Sequence, residues 1–213
     1  MGSQNCPSCG APVQFRSAAP YSVCPYCRSL LVRRDAVLES IGRVAEVPND
    51  LSPLQLRTSG VFDKQPFTLI GRIRKTWEQG SWSEWCANFD QPHFGWLAEA
   101  QGDLVMTFER PLQELGPVPA ADILTRAAPG AGFTISGQPY TVSDVKSVTV
   151  SAAEGELTSA AITGMSMTSI DLRGAGVKFA TIEVAERQTR VFVGRFVEFE
   201  ECRFSNLRAL EGW

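Results

Sequence analysis

The sequence predicts a mainly β fold: an N-terminal zinc ribbon followed by a duplicated small β-barrel or sandwich module. Three observations carry this. Two Cys-x-x-Cys pairs open the chain, short apolar runs broken by Gly, Pro, Asn and Asp follow from Leu54, and one five-residue pattern recurs in both halves. The 213 residues are 44% hydrophobic and 20% charged, the balance of a globular chain with one large domain or two small ones. No apolar run reaches the length of a membrane span, and the first residues lack a basic then apolar leader, so a cytoplasmic location is expected.

Residues 1–34 form the ribbon. Cys6-Pro7-Ser8-Cys9 and Cys24-Pro25-Tyr26-Cys27 are separated by fourteen residues. Each tight turn aims two sulfurs at one centre, and two turns complete a tetrahedron of four thiolates around one structural Zn²⁺. Gly10 stands where the chain leaves the first turn and a positive φ is useful. Zinc also answers an energetic need, because about thirty residues bury too little to fold alone. Arg16, Arg28, Arg33 and Arg34 are unopposed by acids in this segment, and the thiolate–zinc cluster offsets two of their charges. A ribbon at +2, on a chain of formal charge −3, lacks the basic stripe of a nucleic-acid reader.

Residues 35–53 follow as a short helix and linker. Asp35 is placed to cap a helix over Ala36–Val44, and Pro48 and Pro53 bracket turn formers. The first β module, 54–118, has strands around Phe67–Ile73, Trp82–Phe89, Phe94–Leu97 and Leu104–Phe108. The second, 119–213, begins with a helical turn in Ala120–Ala127. Strands follow near Phe133 and over Tyr140–Val150, then a hairpin over Val177–Phe199 turning at Glu186–Thr189. Gln65-Pro66-Phe67-Thr68-Leu69 is echoed by Gln138-Pro139-Tyr140-Thr141-Val142, and Gly80-Ser81-Trp82 by Gly155-Glu156-Leu157, which points to duplication of a module of about 70 residues.

Four of the five tryptophans lie close together, and Trp82, Glu84, Trp85, Trp96 and Glu99 form a candidate ligand or partner surface. An aromatic floor with carboxylates suits a cation, a polyamine or a peptide. The competing account is simple packing of a small barrel with carboxylates at its rim. Period 2 places Glu84 on the face of Trp82 and turns Trp85 away. Asp90 and His93 sit in the intervening loop, where a solvated histidine is the ordinary case. Arg72 and Arg74 share one strand face, expected to be solvated. Cys86 and Cys202 have no histidine nearby and are expected to be buried free thiols. No nucleophile elbow, phosphate loop or dinucleotide fingerprint is present, so the chain is expected not to be an enzyme.

The order Cys6-Pro7-Ser8-Cys9-Gly10, Cys24-Pro25-Tyr26-Cys27, Phe67-x-x-x-Gly71-Arg72, Gly80-x-Trp82-x-Glu84-Trp85, Gly95-Trp96-Leu97-x-Glu99 and Gly155-Glu156-Leu157 resembles bacterial proteins that join a zinc ribbon to the domain of unknown function 4178 family. That resemblance implies no assigned activity. It implies a role beside aminopropyltransferase-like proteins and small membrane proteins, and only the four cysteines carry over as site residues. Arg57 departs from it, standing where glycine is expected. The combined expectation is a zinc-binding, non-enzymatic interaction or adaptor protein with a protein partner, itself without a transmembrane segment but able to associate with a membrane protein. The alternatives are a ligand-binding accessory protein of polyamine metabolism, or nucleic-acid binding through the ribbon.

Overall fold

The alternation read from the sequence becomes strands almost throughout the computed structural model, which describes residues 4–34, 37–89, 93–186 and 188–209. The ribbon holds β1 (Gln4–Asn5), β2 (Pro12–Val13), β3 (Tyr21–Val23), β4 (Ser29–Arg34) and β5 (Val37–Arg43). Beyond it run β6 (Ser59–Phe62), β7 (Gln65–Trp77), β8 (Gly80–Asn88), β9 (Phe94–Ala100) and β10 (Asp103–Arg110). One short helix, α1 (Ile123–Arg126), precedes β11 (Gly132–Ile135), β12 (Gln138–Leu157), β13 (Ser166–Arg173), β14 (Lys178–Ala185) and β15 (Gln188–Val197). Among the described residues no helix is long and apolar enough to cross a membrane.

Strands β7, β8, β9, β10, β15, β14, β13 and β12 pair in that order, all antiparallel, and β12 returns to β7 to close an eight-stranded barrel. Each half of the chain supplies four neighbouring strands. The seams are Leu104↔Val197 through Arg110↔Val191 and Thr149↔Thr76 through Gly155↔Gly71. The halves therefore share one barrel rather than closing two. Each enters it the same way: a short strand, a two-residue turn with both φ positive, then a long strand. The turns are Asp63 (47°) and Lys64 (67°) before β7, and Ser136 (51°) and Gly137 (72°) before β12. This hairpin geometry matches the twist of the strands it joins. The Gln-Pro-aromatic echo occupies equivalent places, whereas Gly80 opens β8 and Gly155 lies near the end of β12.

The helix expected over Ala36–Val44 is corrected: Val37–Arg43 is a strand, and Asp35 and Ala36 lie outside the described residues. Leu30, Leu31 and Val32 of β4 are all buried, so β4 needs a neighbour on each side, and β-branched Val37 and Ile41 suit the edge position. The helical turn near Ala120 and the hairpin of β14 and β15 are as expected, although Arg187 in its turn lies outside the described residues.

Period 2 sorts the barrel residues into two faces with different chemistry. The outer face is aliphatic and aromatic. One outer cluster, with Leu69, Trp85, Leu97 and Met106, is covered by Leu54, Phe62 and Cys202; another, with Ile170, Leu172, Ile182 and Val191, is covered by Leu115, Ile123 and Phe133. The inner face carries polar and aromatic side chains together with an apolar cluster that includes Ile73, Val150 and Met167.

Two backbone sites separate tolerance from constraint. At Gly155 φ is +72°, and a Cβ there would meet the Ile70 carbonyl oxygen at 2.3 Å. Gly155→Ala is expected to lower stability on the order of 3 kcal/mol in chemical denaturation. Arg57, exposed and at φ 73°, keeps the left-handed turn that glycine would favour; Arg57→Gly is expected to change stability by less than about 1 kcal/mol.

Candidate functional site

The four ribbon cysteines converge. Each Cys-x-x-Cys turn closes the same way: Gly10 N–H donates to the Cys6 carbonyl at 2.8 Å and Arg28 N–H to that of Cys24 at 3.0 Å, with Gly10 (φ 76°) and Arg28 (φ 62°) both left-handed. All four sulfurs lie within 4.8 Å of one another; Cys6–Cys27 is 3.7 Å and Cys9–Cys24 is 3.8 Å. A tetrahedron with metal–sulfur bonds of about 2.3 Å has edges of about 3.8 Å, so the donor set fits a tetrahedral metal ion. Cys6 and Cys24 are buried with Val13, Phe15 and Leu31, while Cys9 is exposed. The Ser29 hydroxyl 3.3 Å from Cys27, aided by the Ser29 N–H, holds that thiol down to about 6.

The ribbon is joined to the barrel by β12, whose last residues leave β7 and pair with β3 as Glu156↔Ser22 and Leu157↔Tyr21. The Glu156 carboxylate is buried and accepts the Arg16 N–H (2.8 Å), the Ser17 N–H (3.0 Å) and the Ser17 hydroxyl (2.6 Å). An acidic side chain with no metal-ligand spacing in the sequence is thus a cap for two ribbon amides.

The linker docks on the outer face. Asp50 accepts hydrogen bonds from Arg72, from Arg74 (2.9 Å) and from Arg208 (2.8 Å), and Arg72 lies over the Trp85 ring at 4.5 Å. Glu99 accepts the Trp85 indole N–H (3.0 Å) and the Ser52 hydroxyl (2.7 Å). Arg72 and Arg74 share a face, but the expectation that it is solvated is corrected: Arg72 is 3% exposed, because Asp50 supplies its counter-charge. Burial pushes the Asp50 carboxyl up, but the Arg72 and Arg208 hydrogen bonds outweigh it and hold the group below its ordinary range.

Inside the barrel a cavity of about 520 Å³ is lined by residues from all eight strands. It opens where Gln79, Gln101 and Asp103 border the β7–β8 and β9–β10 turns. Its floor is an ion cluster: the Lys75 ammonium bonds Glu84 (2.7 Å) and Glu183, and Arg190 approaches Glu183 at 4.0 Å. Below lies a smaller chamber of about 240 Å³ that reaches Tyr21 of the ribbon. Burial opposes the charge on Lys75, yet Glu183 and Glu84 raise its pKa above the ordinary lysine value. Tryptophan rings form much of the wall: Trp77 and Trp82 pack at 5.4 Å between centroids, and the Trp82 N–H donates to Glu84 at 2.9 Å.

The residues singled out from the sequence divide between these two faces. Trp82, Glu84 and Trp96 line the lumen together; Trp85 and Glu99 meet on the outside under the linker. Glu84 is in the floor rather than at the rim. His93 is exposed and stacks on Phe108 at 5.1 Å, and Asp90 lies outside the described residues. Cys86 and Cys202 are buried thiols, pushed up by burial to about 12 and about 11. Sequence reasoning missed Lys75, Asp171 and Glu183, which stand at alternating strand positions where charge ordinarily marks a solvated face.

Two outcomes are expected. A lowered carboxyl contributes stability above its unfolded pKa of about 4 and loses it as pH falls through the folded value. Asp50→Asn should therefore lower stability at neutral pH and flatten the acid destabilisation below about pH 4, read from thermal midpoints across pH. Glu156→Ala leaves the buried Ser17 amide and the half-covered Arg16 amide without their acceptor, costing about 1–3 kcal/mol. Limited proteolysis should then release the ribbon from an intact barrel.

A family model described as Domain of unknown function (DUF4178) matches residues 56–199. No curated protein and no solved structure matches. The matched stretch contains every barrel strand and leaves the cysteine cluster outside it. With two-thirds of its residues so matched, the chain belongs to the DUF4178 family, carried here behind an N-terminal cluster of four cysteines.

Proposed function

We propose that this chain is a non-enzymatic, zinc-stabilised binding protein whose barrel lumen takes a small molecule. The cavity carries this reading. Its 520 Å³ lies within the range of about 300–1,000 Å³ typical of ligand sites, and all eight strands wall it. A small barrel filled only for stability would be packed with aliphatic side chains throughout; here these fill the lower part of the interior, and the upper part holds tryptophans and ion pairs around open space. Lys75, Glu84 and Glu183 are tied to one another, which suits a fixed floor better than proton transfer.

Zinc is the metal best matched to four thiolates at tetrahedral spacing, and four protein ligands leave no open position for substrate. Free thiols ready to bind it belong in a reducing compartment, so we place the protein in the cytoplasm.

An adaptor role is the second reading, favoured by β5. Among the described residues that strand ends the sheet, paired on one side only, with Val37 57% exposed, and an extended segment of a protein partner can add to such an edge. Nucleic acid is the weaker partner. Arg28 pairs with Glu46, Arg33 lies over Phe15 and bonds the Ser17 and Ala19 carbonyls, and Arg34 faces Glu39.

Elemental analysis of the purified chain is expected to find one zinc per molecule, lost in the Cys6→Ser/Cys24→Ser variant. For the lumen, a library of small molecules of mixed charge is screened by tryptophan fluorescence and thermal shift. Ala98→Trp, which fills the cavity from β9, should abolish every hit. Hits that survive this change, or no hit of any charge, would overturn the lumen reading.

A further inference from the structure

The charges on the cavity wall are unequal in number and in how far they are satisfied. Five carboxylates line it against the two cations Lys146 and Arg173. Glu84 and Glu183 share Lys75, Asp144 has Lys146, and Asp103 is exposed at the mouth. Asp171 differs: among the described residues it makes no ion pair, and the Ser169 hydroxyl stands 3.5 Å from its Oδ1. Burial pushes its carboxyl up, opposed by a hydrogen bond from the Thr181 hydroxyl. Asp171 is half-buried in the wall, and Lys146 and Lys75 act on it only from a distance, so its charge is less compensated than those of Glu84, Glu183 and Asp144.

The walls beside it suit a cation. Arg173 lies over the Phe196 ring at 3.9 Å and Lys146 over Trp77 at 5.5 Å, so these rings already present their faces to positive charge. Trp82 and Trp96 continue the aromatic wall inward to Glu84. An anion of the same size would bring its charge against Asp171 and the floor carboxylates.

We infer that the lumen binds a small organic cation, an ammonium on a short apolar stem, with Asp171 as its counter-ion and the tryptophan rings against the stem. This rests on the lumen being a binding site, and it names the class of ligand. A charge-assisted hydrogen bond of this kind is worth enough that its removal weakens binding by about tenfold or more.

The test is calorimetric titration of the full chain with butylammonium and tetramethylammonium, against butyrate and butanol as matched anion and neutral. Butylammonium is expected to bind and butyrate not to. Asp171→Asn is expected to weaken butylammonium at least about tenfold. The same variant should unfold at a higher temperature at neutral pH, because a folded pKa above the unfolded one means the Asp171 charge opposes folding there. A raised midpoint also shows that lost binding is not lost folding. Trp85→Phe, on the outer face, should leave the affinity unchanged. Butyrate or butanol binding as well as butylammonium, or butylammonium binding unaltered by Asp171→Asn, overturns the inference while leaving the lumen as a site. Silence of both ammonium probes overturns it too; the mixed-charge screen then shows whether the lumen reading falls with it.

Discussion

The Glu156 carboxylate, clasped by the amides of Arg16 and Ser17, sits at the point where one strand passes from barrel to ribbon. Strand β12 is twenty residues long, and its pairing moves from β13 through β7 to β3 along that length. Two register shifts, at Val142/Asp144 and Val150/Ala152, bend it enough to do so. The close approach of Gly155 to Gly71 lets the two chains cross where the barrel ends. Without this strand the barrel loses one of its two seams, and the ribbon has no sheet to join. A ribbon tied in this way also lends Tyr21 to the lower chamber, so ribbon and barrel share a wall.

The barrel is stabilised largely from outside. Each outer apolar cluster is sealed by segments that are not barrel strands: the linker and C-terminal residues on one side, the 112–135 region on the other. Burial of those side chains, at roughly 25 cal/mol per Å², offsets an interior that is expensive to keep polar. Lys75, Glu84 and Glu183 compensate one another, and Asp171 is left over.

How much of the site was legible varies with the kind of signal. The four cysteines were plain, because ligand spacing is a local property of two turns. Trp82, Glu84 and Trp96 stood out by residue type, and alternation correctly separated Trp85 from them. Alternation gives two faces without saying which one closes on itself. Lys75 and Glu183 look like surface charges, and only the ring of register pairs brings them face to face across the barrel. Arg72 misled for a related reason: its counter-ion Asp50 is 22 residues away in a linker with no periodicity of its own.

By itself the sequence determined the pairing of four cysteines able to hold a metal, the strand-rich character of the chain and the Gln-Pro-aromatic echo that opens β7 and β12. All of these depend on residues within a few positions of one another. Tertiary structure decided that the halves share one barrel, that Val37–Arg43 is a strand and that the polar face is the inner one. Each of those outcomes rests on pairing between segments far apart in the chain. A strand's second face, or an edge segment's choice between helix and strand, takes its energy from a neighbour that local pattern does not specify.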